Sequence, residues 1–364
     1  MKNTLGNNIK VTLFGESHGP YIGAVLDGMM PGIKINYDFI NQQLIKRRPK
    51  GKSETNRVEQ DKYQIISGVF NDYTTGAPLC VIIPNENISS KDYNDIKNKP
   101  RPSHADYVAH VKYHGFEDYR GGGHFSGRIT TPLVVIGAII IDALKSKNIY
   151  IGTHIKKCGS VIDRDFINHQ KDIEQLQSSN YPVLENIEQS IINEIENVRL
   201  EQNSIGGIVQ TSVVNLPIGL GEPWFSSVEG TISNAVFAIG GVKGIEFGDG
   251  FNFSNLTGKT ANDEFEILNN KIVTKTNHNG GINGGITNGM PIVFNTAIKP
   301  TPSISSEQNT VDLLKNENTK LIIEGRHDPA IIRRICVVID SVVAIVIADM
   351  LAMRYGNDFL DFEE

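Results

Sequence analysis

A histidine beside a hydroxyl, in a loop bounded by glycine or proline, can donate or accept a proton at a bound ligand. This chain has two such pairs. Ser17-His18 lies within Gly15-Glu16-Ser17-His18-Gly19, and Ser103-His104 within Arg101-Pro102-Ser103-His104-Ala105-Asp106. The first lacks the register of a GxSxG nucleophile elbow. A third stretch, Arg120-Gly121-Gly122-Gly123-His124-Phe125-Ser126-Gly127-Arg128, sets three bare backbone units before an imidazole, a hydroxyl and a guanidinium. Such a backbone can approach a phosphate or a flat ring closely. Lys299-Pro300-Thr301-Pro302-Ser303 offers a cation and two hydroxyls in a stiffened loop, a phosphate grip. In Gly325-Arg326-His327-Asp328-Pro329, cationic groups stand at a helix start, which favours an anion. Each stretch also has a plain structural reading. These are a polar turn at His18, a capped first turn at His104, a flexible loop at 120–128, a rigid turn at 299–303 and a helix cap at Asp328.

Lys46, Arg47, Arg48, Lys50 and Lys52 crowd one short stretch of a chain whose net charge is −6. The cluster reads as a local anion site or a solvated helix end, not as a nucleic-acid surface. His110 and His114 have i, i+4 spacing, but no HExxH pattern accompanies them, so no metal site is assigned. Cys80, Cys158 and Cys336 form no CxxC pair and read as buried thiols of a reducing cytoplasm. The opening MKNTLGNNIK has no signal-peptide core, so a cytoplasmic location is expected. Leu133–Leu144 is too short to span a bilayer, and Ile335–Ala352 carries Asp340 and Asp349. Both are expected as buried helices, with no membrane partner.

The elements that must position these residues are partly legible. Ile9–Phe14 alternates like a strand running into the His18 loop. A helix is expected from Asn36 to about Arg48, stopped by Pro49. Tyr63–Phe70 and Pro78–Ile83 read as strands about a turn at Thr75-Gly76. Ser103 with Asp106, and Ser226 with Glu229, read as capping boxes. Thr131-Pro132 should cap the apolar helix that follows. Residues 184–200 carry Ile187, Ile191, Ile195 and Val198 at helical spacing. Ile208–Val214 and Pro291–Ile298 read as strands, and Asp328-Pro329 as the start of the last helix. No fixed-period repeat and no long linker occur. An α+β chain with one domain over residues 1–364 is expected, its site assembled from both halves.

The order of the motifs is more specific than any one of them. GESHG at 15, a basic RRP at 47, RPSHADY at 101, RGGG at 120, GVKGIEFGDGF at 241, NGG at 279, KPTPSI at 299 and GRHDP at 325 together resemble the chorismate synthase family. The resemblance spans Gly15 to Ala352. It implies a β-α-β sandwich, with long central helices between two antiparallel sheets, assembled as a homotetramer. It implies the 1,4-trans elimination of phosphate from 5-enolpyruvylshikimate 3-phosphate to give chorismate, with reduced FMN required. NADPH would serve only to reduce the flavin. By the same resemblance, His18, His104, Asp328, Ser17 and Ser126 are catalytic. The FMN cradle is His124, Phe125, Ser126, Gly240, Gly241, Gly284, Lys299, Pro300, Thr301, Pro302, Ser303 and Arg326. Arg47, Arg48, Arg128 and Arg333 are on the substrate side. Two other classes remain open: a non-catalytic flavin carrier, which needs the loops but not the His18/His104 pair, and a metal-dependent hydrolase.

Overall fold

The computed structural model describes residues 2–51, 54, 60–86, 97–323 and 328–361. Strands β1 (Thr4–Leu5), β2 (Lys10–Gly15) and β3 (Tyr21–Asp27) lead into helix α1 (Tyr37–Arg47). Strand β4 (Gln64–Ser67), the small hairpin β5 (Val69–Phe70) and β6 (Tyr73–Thr74), and β7 (Leu79–Pro84) follow. A first sheet runs β1-β2-β3-β7-β4, every pair antiparallel. After the short helix α2 (Asp106–Lys112) comes the apolar α3 (Thr130–Lys145). Then come β8 (Tyr150–Cys158), β9 (Val161–Ile162), α4 (His169–Ser178), α5 (Glu188–Leu200), β10 (Gly207–Val214), α6 (Val228–Phe237) and β11 (Val242–Phe247). The short α7 (Gly258–Ala261) precedes the hairpins β12 (Phe265–Leu268) with β13 (Lys271–Thr274), and β14 (Ile282–Asn283) with β15 (Ile286–Thr287). Strand β16 (Ile292–Ile298), the hairpin β17 (Gln308–Asp312) with β18 (Glu317–Leu321), and α8 (Ile332–Tyr355) complete the order. A second antiparallel sheet runs β11-β16-β10-β8-β9.

Helices α3 and α8 pack on each other. Helix α3 also packs on β3 and β7 of the first sheet, and α8 on β8 and β10 of the second. Their close crossing depends on Gly137, where a Cβ would stand 2.2 Å from the Cβ of Ser341. The hydroxyl that this proximity buries, Ser341 Oγ, donates to the Val337 carbonyl at 2.7 Å. Buried apolar residues from Ile9 to Leu360 form one continuous cluster around the two helices. Helix α8, and α3 taken together with its flanking turns as Gly127–Ser146, are long and apolar enough to cross a bilayer, but 94% and 78% of their apolar windows are buried inside the fold. The charges of α8 are answered locally. Asp349 accepts the main-chain N–H groups of Asn7, Asn8 and Ile9, and Asp340 accepts from Thr153 Oγ1.

Several local expectations hold. Asn36 caps α1 by accepting from Phe39 N at 3.1 Å, Ile191 and Ile195 of α5 are buried, and two of the three cysteines, Cys158 and Cys336, are buried free thiols, whereas Cys80 is only half-buried. Others are corrected. The chain bends as expected at Gly76, at positive φ between β6 and β7, but an unexpected hairpin turn at Asn71-Asp72, also at positive φ because Asx residues tolerate that conformation, joins β5 to β6. The cap of α6 is Ser227, not Ser226. Thr131 lies inside the first turn of α3, where its hydroxyl bonds back to the Arg128 carbonyl. Asp328 is not the cap of α8, whose N-cap is Ile331. No capping box forms at Ser103 and Asp106; Ser103 adopts positive φ and the Asp106 carboxylate is used elsewhere.

Candidate active site

The His18 loop and the glycine run are stitched together. At the end of β2, Ser17 N donates to the Gly123 carbonyl at 3.1 Å. His124 Nδ1 donates in return to the Gly15 carbonyl at 2.8 Å. The loop itself turns tightly, with Gly19 N donating to Glu16 O. Asn85, just past β7, clamps that turn by donating to the carbonyls of Glu16 and Gly19. His18 and Ser17 are therefore buried, at 5% and 0% exposure.

Gly121, Gly122 and Gly123 all take positive φ. A Cβ at Gly121 would stand 2.2 Å from His18 Cε1 and 3.0 Å from Ser17 Oγ. A Cβ at Gly122 would stand 3.4 Å from His104 Cε1. The bare backbone thus separates the two imidazoles and touches both. Ser17 Oγ is buried without a hydrogen-bond partner among the described residues.

His104 is held from its own turn. Asp106 accepts from Arg101 Nε and Nη2, each at 2.8 Å, and lies 2.6 Å from His104 Nδ1. Although burial opposes it, the Arg101 and His104 partners hold the Asp106 carboxyl well below the usual range. The 299–303 loop joins the same turn: Lys299 Nζ donates to the Ser103 carbonyl at 2.7 Å, and Arg101 Nη1 to Ser303 Oγ at 3.4 Å. Lys299 N donates to Gly241 O, and Thr301 Oγ1 to Asp328 O at 2.6 Å. His104, Gly241, Lys299–Ser303 and Asp328 are thereby neighbours. Pro300 packs at Gly206, and Pro302 is half-buried in the same loop.

On one side of residues 120–128 lies a cavity of about 280 Å³. Arg47, Arg48, Arg128 and Arg334 line it with Asp61, Asp328, Ser126 and Gly240. Four guanidiniums face two carboxylates there, an excess of two positive charges. Asp61 organises three of them: Arg47 and Arg48 each approach it to 3.8 Å, and Arg128 pairs with it directly. Arg334 pairs with Asp328. On the other side, a cavity of about 590 Å³ is lined by His104, His124, Phe125, Tyr113 and Tyr119.

The expected residues distribute unevenly. Arg128 is 7% exposed and donates to Asn85, Thr131 and the Pro84 carbonyl besides its pair with Asp61. Its main contacts are structural. Arg333, expected on the substrate side, is turned inward to Glu54, and its neighbour Arg334 lines the cavity instead. One helical residue rotates direction by about 100°, so the choice between adjacent arginines is not legible without the helix phase. The basic run is not a solvated end: Lys46 turns inward and donates to the Leu176 carbonyl, while Arg47 and Arg48 face the cavity. Gly284 lies by the N-terminus of α6, where Val228 N donates to Gly285 O, whereas Gly240 lies beyond its C-terminus. The structure does not bring those two together. Arg326 and Lys52 lie outside the described residues. His110 is half exposed beside Glu117. Asp61 and Asn85 carried no sequence motif; Asp106 did, inside the same motif as His104.

A cation-rich cavity on one side of the glycine run, with two imidazoles packed against Gly121 and Gly122 of that run, suits a multiply anionic small molecule and proton transfer. The comparisons agree. A family model described as chorismate synthase matches residues 9–352. The chorismate synthase of Pyrococcus abyssi is 43% identical over 351 residues, covering 96% of this chain and 97% of that protein. That of Dehalococcoides mccartyi is 44% identical over 360 residues, covering 98% of each. A crystal structure of chorismate synthase superposes with a TM-score of 0.76 at 26% identity, covering 96% of this chain and 94% of the other. The chain belongs to the chorismate synthase family, lyases that eliminate phosphate.

Proposed function

We propose that this protein converts 5-enolpyruvylshikimate 3-phosphate to chorismate by 1,4-trans elimination of phosphate, the last step of the shikimate pathway, with reduced FMN bound. The observation that carries the reading is the cavity in which four arginines outnumber two carboxylates, Asp61 and Asp328. Its ligand carries two carboxylates and a phosphate of roughly −1.5 to −2 charge at neutral pH. Guanidiniums grip such groups bidentately.

The residues also fit a flavin. Ser17 Oγ is a buried hydroxyl with no partner in the described protein, and the glycine run leaves bare backbone beside both histidines. Lys299, Thr301 and Ser303 supply a cation and hydroxyls for a phosphate. Together with His124, Phe125, Ser126, Gly240, Gly241 and Arg326, they would hold the FMN. When bound, reduced FMN supplies a transient electron and a place for the departing hydrogen. NADPH enters only as a reductant of the flavin.

In this reading Arg48, Arg47 and Arg334 bind and orient the substrate's anionic groups. His18, buried behind Gly121, gives a proton to the leaving phosphate, a step such catalysis typically speeds about 10²–10⁴-fold. His104 Nε2 controls the proton on the flavin side. Ser17 and Ser126 pass protons between them. Asp328, released from Arg334, would act at nitrogen five of the flavin when it is bound. A homotetramer in the cytoplasm, and one β-α-β sandwich domain over residues 1–364, belong to the same reading. The packing of α3 and α8 between the two five-stranded sheets supports the sandwich.

The test is phosphate release by wild type, His18→Ala and His104→Ala, with FMN binding measured in parallel. Both variants should bind FMN and lose most turnover. Undiminished turnover in both would overturn the assigned roles.

A further inference from the structure

Asp106 has no role in the reaction as described so far, yet it is the group to which His104 is tied. The turn that ties them is strained. His104 N donates to the Arg101 carbonyl at 3.2 Å, and Ser103 takes φ 58° in the third position of that turn. Non-glycine residues at such φ persist only where the surroundings impose them, and they cluster at functional sites. Here the surroundings include Lys299, whose ammonium holds the Ser103 carbonyl from across the site. The result is that Arg101 and His104, three residues apart, both reach one carboxylate.

Two tautomers of His104 compete. Its Nδ1 lies 2.6 Å from Asp106 Oδ1 and 3.1 Å from Arg101 Nη2. An unprotonated Nδ1 would accept from Arg101, but would then face an ionised oxygen at 2.6 Å with no proton between two lone pairs. A protonated Nδ1 donates to Asp106 over a short, charge-assisted distance. It loses only the longer Arg101 contact, and Arg101 already donates to both Asp106 oxygens. The second arrangement wins. It leaves Nε2 unprotonated and aimed at the glycine run, 3.5 Å from where a Cβ at Gly122 would stand.

We propose that Asp106, itself fixed by Arg101, is a positioning residue that locks His104 as the Nδ1–H tautomer and presents Nε2 as the proton-exchanging atom at Gly122. This rests on the proton role given to His104 above. Asparagine at 106 would offer its amide N–H to Nδ1 and its oxygen to Arg101, which favours the opposite tautomer. Where a buried aspartate orients a catalytic histidine in serine proteases, that same exchange lowers kcat about 10⁴-fold.

The experiment is ¹⁵N-histidine NMR of the full chain at a pH where imidazoles are neutral, with His104 assigned from the His104→Gln spectrum, alongside steady-state kinetics. Wild type should show protonated Nδ1 and unprotonated Nε2. Asp106→Asn should reverse or lose that pattern and lower kcat at least about 100-fold with little change in KM. Asp106→Glu should keep the tautomer and most of kcat, which also guards against a variant that merely fails to fold. Protonated Nε2 in wild type, or unimpaired kcat in an Asp106→Asn protein whose tautomer has reversed, would overturn the proposal. The spectra need no substrate, so the tautomer is read independently of turnover; retained turnover in His104→Ala would instead remove the proton role on which the proposal rests.

Discussion

Arg333 Nε and Nη2 donate to the two carboxylate oxygens of Glu54, at 2.5 and 2.6 Å. The same guanidinium donates to the carbonyls of Lys46 and Arg48, the last residues of the α1 end. A buried fork on α8 therefore closes the C-terminus of α1 and sets the direction in which Arg47 and Arg48 leave it. Breaking a buried pair by removing one partner typically costs about 3–5 kcal/mol. Glu54→Gln, which keeps shape and one acceptor, should cost less. It should raise KM for the anionic substrate about tenfold while kcat changes less. Equal falls in kcat and kcat/KM would mean that Arg333 acts in the transition state instead.

Among the arginines of the cavity, Arg48 gives the cleanest test of the proposed substrate contact, because its side chain is a third exposed and makes few structural bonds. Hydrogen bonds to charged groups are worth about 1.5–3 kcal/mol. Arg48→Ala should raise KM roughly 10–100-fold, and the effect should shrink as salt is added. Titration at two ionic strengths checks this.

Gly121 admits no side chain. Alanine there would meet His18 Cε1 at 2.2 Å and would have to hold φ 60°, which costs about 1–2 kcal/mol in the left-handed region before any clash. Gly121→Ala should lose at least about 100-fold in kcat, whereas Gly127→Ala, with nothing within 4 Å, should be nearly silent on stability. Thermal melts and turnover of both variants separate backbone strain from displacement of His18.

Burial raises the Asp340 carboxyl to about 7; its bond from Thr153 and the charge of Lys46 only partly offset that. The folded state thus keeps a proton that the unfolded chain releases near its ordinary value of 3.8. Between those two values the unfolded state binds fewer protons, so this group's contribution to stability falls as pH rises and is fully unfavourable above 7. Asp340→Asn should therefore gain stability over wild type at pH 8, by up to ~2–4 kcal/mol, and gain nothing at pH 3. Urea melts at both values check the sign.

The framework and the site differed in legibility. Strands such as Ile292–Ile298 and the buried α8 follow from hydrophobic period and length, which are local properties of the chain. Ordered motifs carried the family and named His18 and His104. What stayed hidden depends on non-local geometry. Asp61 gathers Arg47, Arg48 and Arg128 from distant parts of the chain, and nothing beside it in sequence signals that. Asp328 reads as a helix cap because Asp before Pro usually is one, yet the helix starts later and the carboxylate meets Arg334.

The most direct test is anaerobic phosphate release from 5-enolpyruvylshikimate 3-phosphate, with dithionite-reduced FMN present or absent. Release only with reduced FMN, with chorismate absorbance rising in step, is the predicted result. Folded protein that releases no phosphate under either condition would contradict the account and favour a flavin-binding protein without this activity.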